Sequence, residues 1–259
     1  MDDEIERLHA CRCRSYRACW FGFAVYSFYL VLTTFAGVAG MLLMFTGQAR
    51  NLGAWLGLAS FDSTFDVFRT WARLLACLAL VAAWPTDAAW RRRAGFLLLM
   101  AIGDVVLWAI EDAVPLGLAS EETPHLVLCG YLRAGLGWSR YVLLASLAAD
   151  FARHAGVIRA AEMGKAARSA ATMGAAVWFA YFLSRIDWRS PWPLIDRRWT
   201  LDAFHLFLVS HLINLVCLAQ ASLLTFFAAR AAAQLLRESA REATGFDPWA
   251  NPQPAPGRY

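Results

Sequence analysis

Six apolar stretches alternate with short polar segments along this chain. They cover residues 20–45, 61–84, 95–110, 126–149, 170–183 and 201–229. Most approach the roughly 17–25 apolar residues that a helix needs to cross a bilayer. None shows the two-residue alternation of a transmembrane β-strand. The pattern therefore predicts an all-α fold: a polytopic helical membrane protein with about six apolar spans. It divides the chain into a polar segment 1–19, a helical membrane domain 20–229, and a polar helix extension with a Pro-rich tail, 230–259.

The second stretch differs from the others. Over residues 61–75, Phe61, Phe65, Phe68, Ala72 and Leu75 form one helical stripe, and Asp62, Asp66, Arg69 and Arg73 form another, one residue away. Only residues 74–84 are purely apolar before Pro85. The segment either crosses with its charged half against protein or lies partly in the membrane interface. The Phe61/Phe65/Phe68/Leu75 stripe is the candidate membrane-active surface.

Charges also enter the third and fourth stretches. Asp104 and Glu111 lie on the third, Arg133 and Arg140 on the fourth, and each pair is seven residues apart. Seven residues are about two helical turns, so the two charges in each helix share a face. Folding the stretches as antiparallel neighbours puts Asp104 level with Arg140 and Glu111 level with Arg133. An ionised group in hydrocarbon costs about 2.5–3.5 kcal/mol on insertion scales, so such groups face protein and pair. The spacing predicts a charge-paired helical hairpin. Its pairs serve either as structural salt bridges or as the lining of an ion or solute path.

The chain has 259 residues, 59% of them hydrophobic, and a net charge of +4; its mean hydropathy is +0.43. Lys165 is the sole lysine among the cations. No basic cluster interleaved with aromatics suggests a nucleic-acid groove. The acidic opening Met1-Asp2-Asp3-Glu4 does not read as a secretory signal. Arginines concentrate before the first stretch, at Arg91-Arg92-Arg93, between Arg153 and Arg168, and after Arg230. In a six-span arrangement these fall on one side, which predicts that both termini are cytosolic.

Cys11, Cys13 and Cys19 cluster before the first span and are candidates for S-acylation. Three thiols without a fourth ligand make a poor metal site. His205 and His211, six residues apart, lie about 240° apart around a helix and cannot share one metal. His211, with Asn214 one turn on, reads instead as an interhelical hydrogen-bonding pair. No phosphate-binding glycine loop, H-E-x-x-H or G-x-S-x-G motif occurs. The residues point to a non-enzyme without cofactor or metal, whose partners are the lipid bilayer and further copies of itself or other membrane proteins.

Two stretches of the hairpin resemble a known family. Asp104-Val105-Val106-Leu107-Trp108-Ala109 is similar to the D-N-x-L-W segment of the peroxin-eleven family. Ser139-Arg140-Tyr141-Val142-Leu143-Leu144-Ala145-Ser146-Leu147, followed by Asp150 and Arg153, is similar to that family's second characteristic stretch. The amphipathic 61–75 segment resembles the family's membrane-bending helix in character and order, although it is nearly charge-balanced where the family's is basic. The resemblance implies a peroxisomal or glycosomal membrane protein that promotes organelle elongation and division through oligomerisation and an amphipathic helix. Two other readings fit the residues: a small channel or transporter, and an accessory subunit of a larger membrane assembly.

Overall fold

The computed structural model describes residues 2–46, 58–83, 87–112, 124–187, 194–195 and 201–244. Six helices occur among them: α1 (Asp2–Thr46), α2 (Leu58–Ala83), α3 (Ala88–Asp112), α4 (Pro124–His154), α5 (Ile158–Arg185) and α6 (Leu201–Thr244). The fold is all-helical apart from a two-residue antiparallel pair between α5 and α6. In that pair Ile186 lies opposite Ile195 and Asp187 opposite Leu194.

Local chemistry accounts for several helix ends. Asp87 caps α3, its Oδ1 accepting hydrogen bonds from the amides of Ala89 (2.8 Å) and Trp90 (3.1 Å). Gly156, at φ +73°, breaks α4 from α5. The amide of Val157 reaches back to the carbonyl of Ala152 at 2.8 Å, a bond pattern that a left-handed glycine permits. The polar segment before residue 20 is helical and continuous with the first apolar stretch, and the polar helix extension expected after residue 229 runs on to Thr244. Residues 2–19 and 230–244 contain no glycine or proline, so α1 and α6 run straight through them.

Each helix packs against its neighbours in sequence, and α6 closes the ring against α1, with α4 also touching α6. The core lies where Phe23, Tyr26 and Leu30 of α1 meet Leu80, Leu97, Leu144, Phe151 and Leu224 of four other helices. Phe23 stands edge-on to Trp90 (6.4 Å between centroids) and tilted against Phe151 (5.6 Å). Small residues set the closest approaches. A β-carbon on Gly22 would fall 2.9 Å from Leu80, one on Gly164 would fall 2.2 Å from that of Ala149, and one on Gly174 would fall 2.3 Å from the Trp138 ring. Polar ties also join helices: Ser27 Oγ donates to the carbonyl of Ser222 at 3.2 Å, Trp90 Nε1 donates to that of Leu80 at 2.7 Å, and Arg93 Nη1 of α3 donates to Asp150 of α4.

The outer surface is apolar. Phe28, Phe35, Trp71, Leu99, Val106, Met173, Val216 and Phe226 are all more than half exposed. Three segments are long and apolar enough to cross a membrane, 10–39, 88–110 and 208–241, and 33%, 22% and 44% of them is buried within the protein. Most of their surface therefore needs an apolar solvent, which the interior of a bilayer supplies.

The expectation of about six spans is not met on these criteria. Among the described residues three helices qualify, and α2 contributes only the shorter apolar segment 70–83. The arginines on α4, and Lys165 and Arg168 with many alanines on α5, dilute the apolar character that a span requires.

Candidate functional site: an arginine–aspartate cluster in a helix-lined cavity

Asp104 projects from the middle of α3 into the bundle and is buried together with Arg73 and Arg140. Three guanidinium groups converge on its carboxylate. Arg140 Nη1 of α4 donates to Oδ2 at 3.1 Å, and Arg133 Nε, two turns earlier on α4, donates to Oδ1 at 3.2 Å. Arg73 Nη1 of α2 donates to Oδ2 as well. The Arg73 guanidinium also lies over the Tyr29 ring of α1, 5.4 Å from its centroid, which adds a cation–π contact. One aspartate thus joins α2, α3 and α4, and through Arg73 reaches α1.

The hairpin register brings Asp104 and Arg140 together as the seven-residue spacing predicts. Arg133 differs: it was expected opposite Glu111, yet its Nε reaches Asp104. An arginine side chain is long enough to span much of the two-turn offset. The side chain of Glu111 lies outside the described residues.

Arg73 belongs to the charged stripe with Asp62, Asp66 and Arg69, and of the two settings open to that stripe the structure gives Arg73 the one against protein; its partner Asp104 was not foreseen. The flanks of Arg73 carried the signal: Ala72 and Ala76 are small, and a purely apolar run starts immediately after it. Both alanines are buried beside it.

The cluster forms the floor of a cleft of about 650 Å³ to which all six helices contribute. One wall is aromatic. Tyr131 lies 5.9 Å from Trp178, and Phe182 stacks parallel to Trp178 at 5.9 Å. The other side is polar, with Thr33, Ser210, His211 and Asn214. His211 and Asn214 therefore both face the cleft, while the side chain of His205 lies outside the described residues. Gly137, one turn before Arg140, lines the cleft beside the second guanidinium nitrogen; a β-carbon there would sit in ordinary contact with Nη2, at 3.7 Å. The volume is in the range of small-ligand sites, and the guanidinium donors suit a carboxylate or phosphate.

The other candidate residues scatter. Phe68 is exposed and packs edge-on to Phe28 of α1 at 6.3 Å, and Leu75 is exposed. The side chains of Phe61 and Phe65 lie outside the described residues. Ala72, assigned to the same stripe, is buried, so the outward stripe on α2 consists of Phe68, Trp71, Leu75 and Leu78. Among the acylation candidates Cys11 is exposed and Cys13 half-exposed, but Cys19 is sealed in the core beside Phe23 and cannot accept an acyl chain in the folded protein.

No protein-family model, curated protein or solved structure matches this chain. The likeness to the peroxin-eleven family rests on the residues quoted above.

Proposed function

We propose that this is a membrane-shaping protein of the peroxin-eleven kind, which promotes elongation and division of a peroxisome or glycosome. The observation that carries this reading is the construction of α2. Its outward face presents Phe68, Trp71, Leu75 and Leu78, while its inner face is tied through Arg73 to Asp104. Its apolar part, 70–83, is fourteen residues long, about 21 Å at 1.5 Å per residue, against a hydrocarbon core of roughly 30 Å. A helix that fills one leaflet more than the other, and is fixed to full-length spans, enlarges the protein's cross-section on one side and favours curvature. Both stretches that carry the family resemblance meet at this anchor, since Asp104 belongs to one and Arg140 to the other.

In this reading α4 and α5 also cross, with the arginines of α4 facing the shared interior. Both termini then lie in the cytosol, and the protein acts as a homo-oligomer. Replacing Phe68 and Leu75 with serine in a tagged full-length chain tests it. The variant should stay folded and reach the same organelle, but overexpression should no longer elongate that organelle. Full elongating activity in the variant would refute the wedge.

A second reading, a small channel or transporter for anions, is favoured by one observation: the arginine-floored cleft that opens among all six helices. Purified protein in liposomes should then pass small organic anions, and Gly137→Leu should block the flux without altering charge. Absence of flux from folded, reconstituted protein would exclude it.

A further inference from the structure

A second concave site lies apart from the arginine cluster, between α4 and α5. Two close approaches hold these helices together, Gly164 against Ala149 and Gly174 against Trp138. Alongside that seam is an open groove of about 750 Å³. Its polar end is formed by Lys165, Arg168 and Ser169, and its other end by Val142, Met173 and Ala176. Polar and apolar ends are eleven residues apart on α5, about 16 Å along its axis.

The two cations are uncommitted. Neither side chain enters an ion pair or hydrogen bond among the described residues. The hydroxyl of Thr172 donates to the carbonyl of Arg168 at 2.9 Å and that of Ser146 to the carbonyl of Val142 at 2.8 Å, so their protons are spent on the helix backbone and the groups left to meet an anion are Lys165, Arg168 and Ser169. Met173, at the apolar end, is 60% exposed. Lys165 lies seven residues into α5, about 10 Å from its start; with α5 crossing as proposed above, it falls near one end of the crossing segment.

Two cations beside Ser169 at one end and apolar surface at the other complement a molecule with an anionic head and a hydrocarbon chain. We propose that this groove binds one anionic phospholipid, its phosphate between Lys165 and Arg168 and one acyl chain along Val142, Met173 and Ala176. A basic pocket between membrane helices recognises lipid headgroups by the same pairing of charge with depth. The proposal rests on the crossing of α4 and α5 in that reading but not on its wedge, so loss of lipid retention and loss of elongating activity are separate outcomes.

The full-length chain in nanodiscs of phosphatidylcholine, with or without phosphatidylglycerol, provides the test. Native mass spectrometry should find one phosphatidylglycerol retained, and adding that lipid should raise the melting temperature. Lys165→Gln/Arg168→Gln should weaken retention on the order of tenfold and abolish the thermal shift. Its melting temperature in phosphatidylcholine alone should match the parent's. Ala176→Trp, which fills the acyl path and leaves every charge in place, should also lose retention. Undiminished retention in either variant overturns the proposal. Equal loss in Arg91→Gln/Arg92→Gln, both exposed and on α3, would mean diffuse surface attraction and overturn it too. Inorganic phosphate protecting as well as the lipid would show a site for soluble anions instead.

Discussion

Trp138 of α4 and Gly174 of α5 occupy each other's space: a β-carbon on the glycine would fall 2.3 Å from the indole ring. The indole is buried, and Ile213 of α6 closes the site at 2.9 Å from the same point, so no direction of retreat is open. Three helices are held in register by the absence of one methyl group.

Gly174→Ala should therefore destabilise the protein by about 1–3 kcal/mol, the usual cost of overpacking. Gly95→Ala on α3 makes a matched control. Nothing lies within 4 Å of its added carbon, so it should gain about 0.5–1 kcal/mol from helix propensity. Thermal unfolding of both variants in one detergent checks the pair. Equal behaviour would mean that the α4–α5–α6 contact is looser than described.

Asp104→Asn should cost more than any other single change in the cluster, about 3–5 kcal/mol, because it leaves three guanidinium groups around a neutral amide. Arg140→Gln should cost less, since Asp104 keeps Arg73 and Arg133. The double variant should lose less than the sum of the two. Strict additivity in denaturation midpoints would show that the 3.1 Å contact contributes no coupling.

The spacing of charges revealed half of this cluster and concealed the rest. Asp104 and Arg140 were legible because antiparallel neighbours must match depth, and a seven-residue interval leaves few registers. The partner of Arg73 was not legible because periodicity gives the face of a helix but not what that face meets. The charged stripe left protein and membrane interface both open, and the packing of Ala72 and Ala76 decides for the interior at Arg73. The six helical stretches were visible in the apolar pattern, but not all of their ends. Polarity marks where a membrane stops, and only glycine, proline or a cap marks where a helix stops, so α1 begins well before its apolar stretch, while α6 continues into the polar extension as expected. The aromatic wall of the cleft could not be read at all, since Tyr131 and Trp178 come from different helices and no spacing relates them.

Asp87 offers a pH-dependent test outside the membrane. The amides of Trp90 and Ala89 bond its carboxylate and hold its pKa below the ordinary aspartate value. A lowered folded pKa means that the cap's ionised contribution is complete above that ordinary value, near 3.9, and fades as pH falls through the folded pKa. Asp87→Ala should cost about 1 kcal/mol at neutral pH, as loss of a helix cap does. Asp87→Asn keeps an acceptor, and its stability difference from the parent should shrink on acidification below pH 4. A constant difference from pH 7 to pH 3 would remove the cap's ionic role.

Thiol reactivity should divide the cysteines by burial. In folded protein, maleimide should modify Cys11 and then Cys13, and leave Cys19, Cys77, Cys129 and Cys217 unmodified until sodium dodecyl sulfate is added. Peptide mass spectrometry reads each site. Modification of Cys19 as fast as Cys11 in native conditions would mean that α1 does not pack on α2 as described.

The shared carboxylate also imposes an order on synthesis. Arg73 leaves the ribosome 31 residues before Asp104, and Arg140 follows 36 residues after it. A nascent chain that ends between α2 and α3 carries an arginine with no counter-charge from Asp104, and so cannot settle α2 in hydrocarbon cheaply. The second helix must wait at the water boundary until the third arrives, and both hold an incomplete pocket until the fourth closes it. Membrane integration of this protein is then a concerted event involving three helices rather than a succession of independent insertions, and chains truncated before Asp104 should stay anchored through α1 while α2 remains accessible to protease.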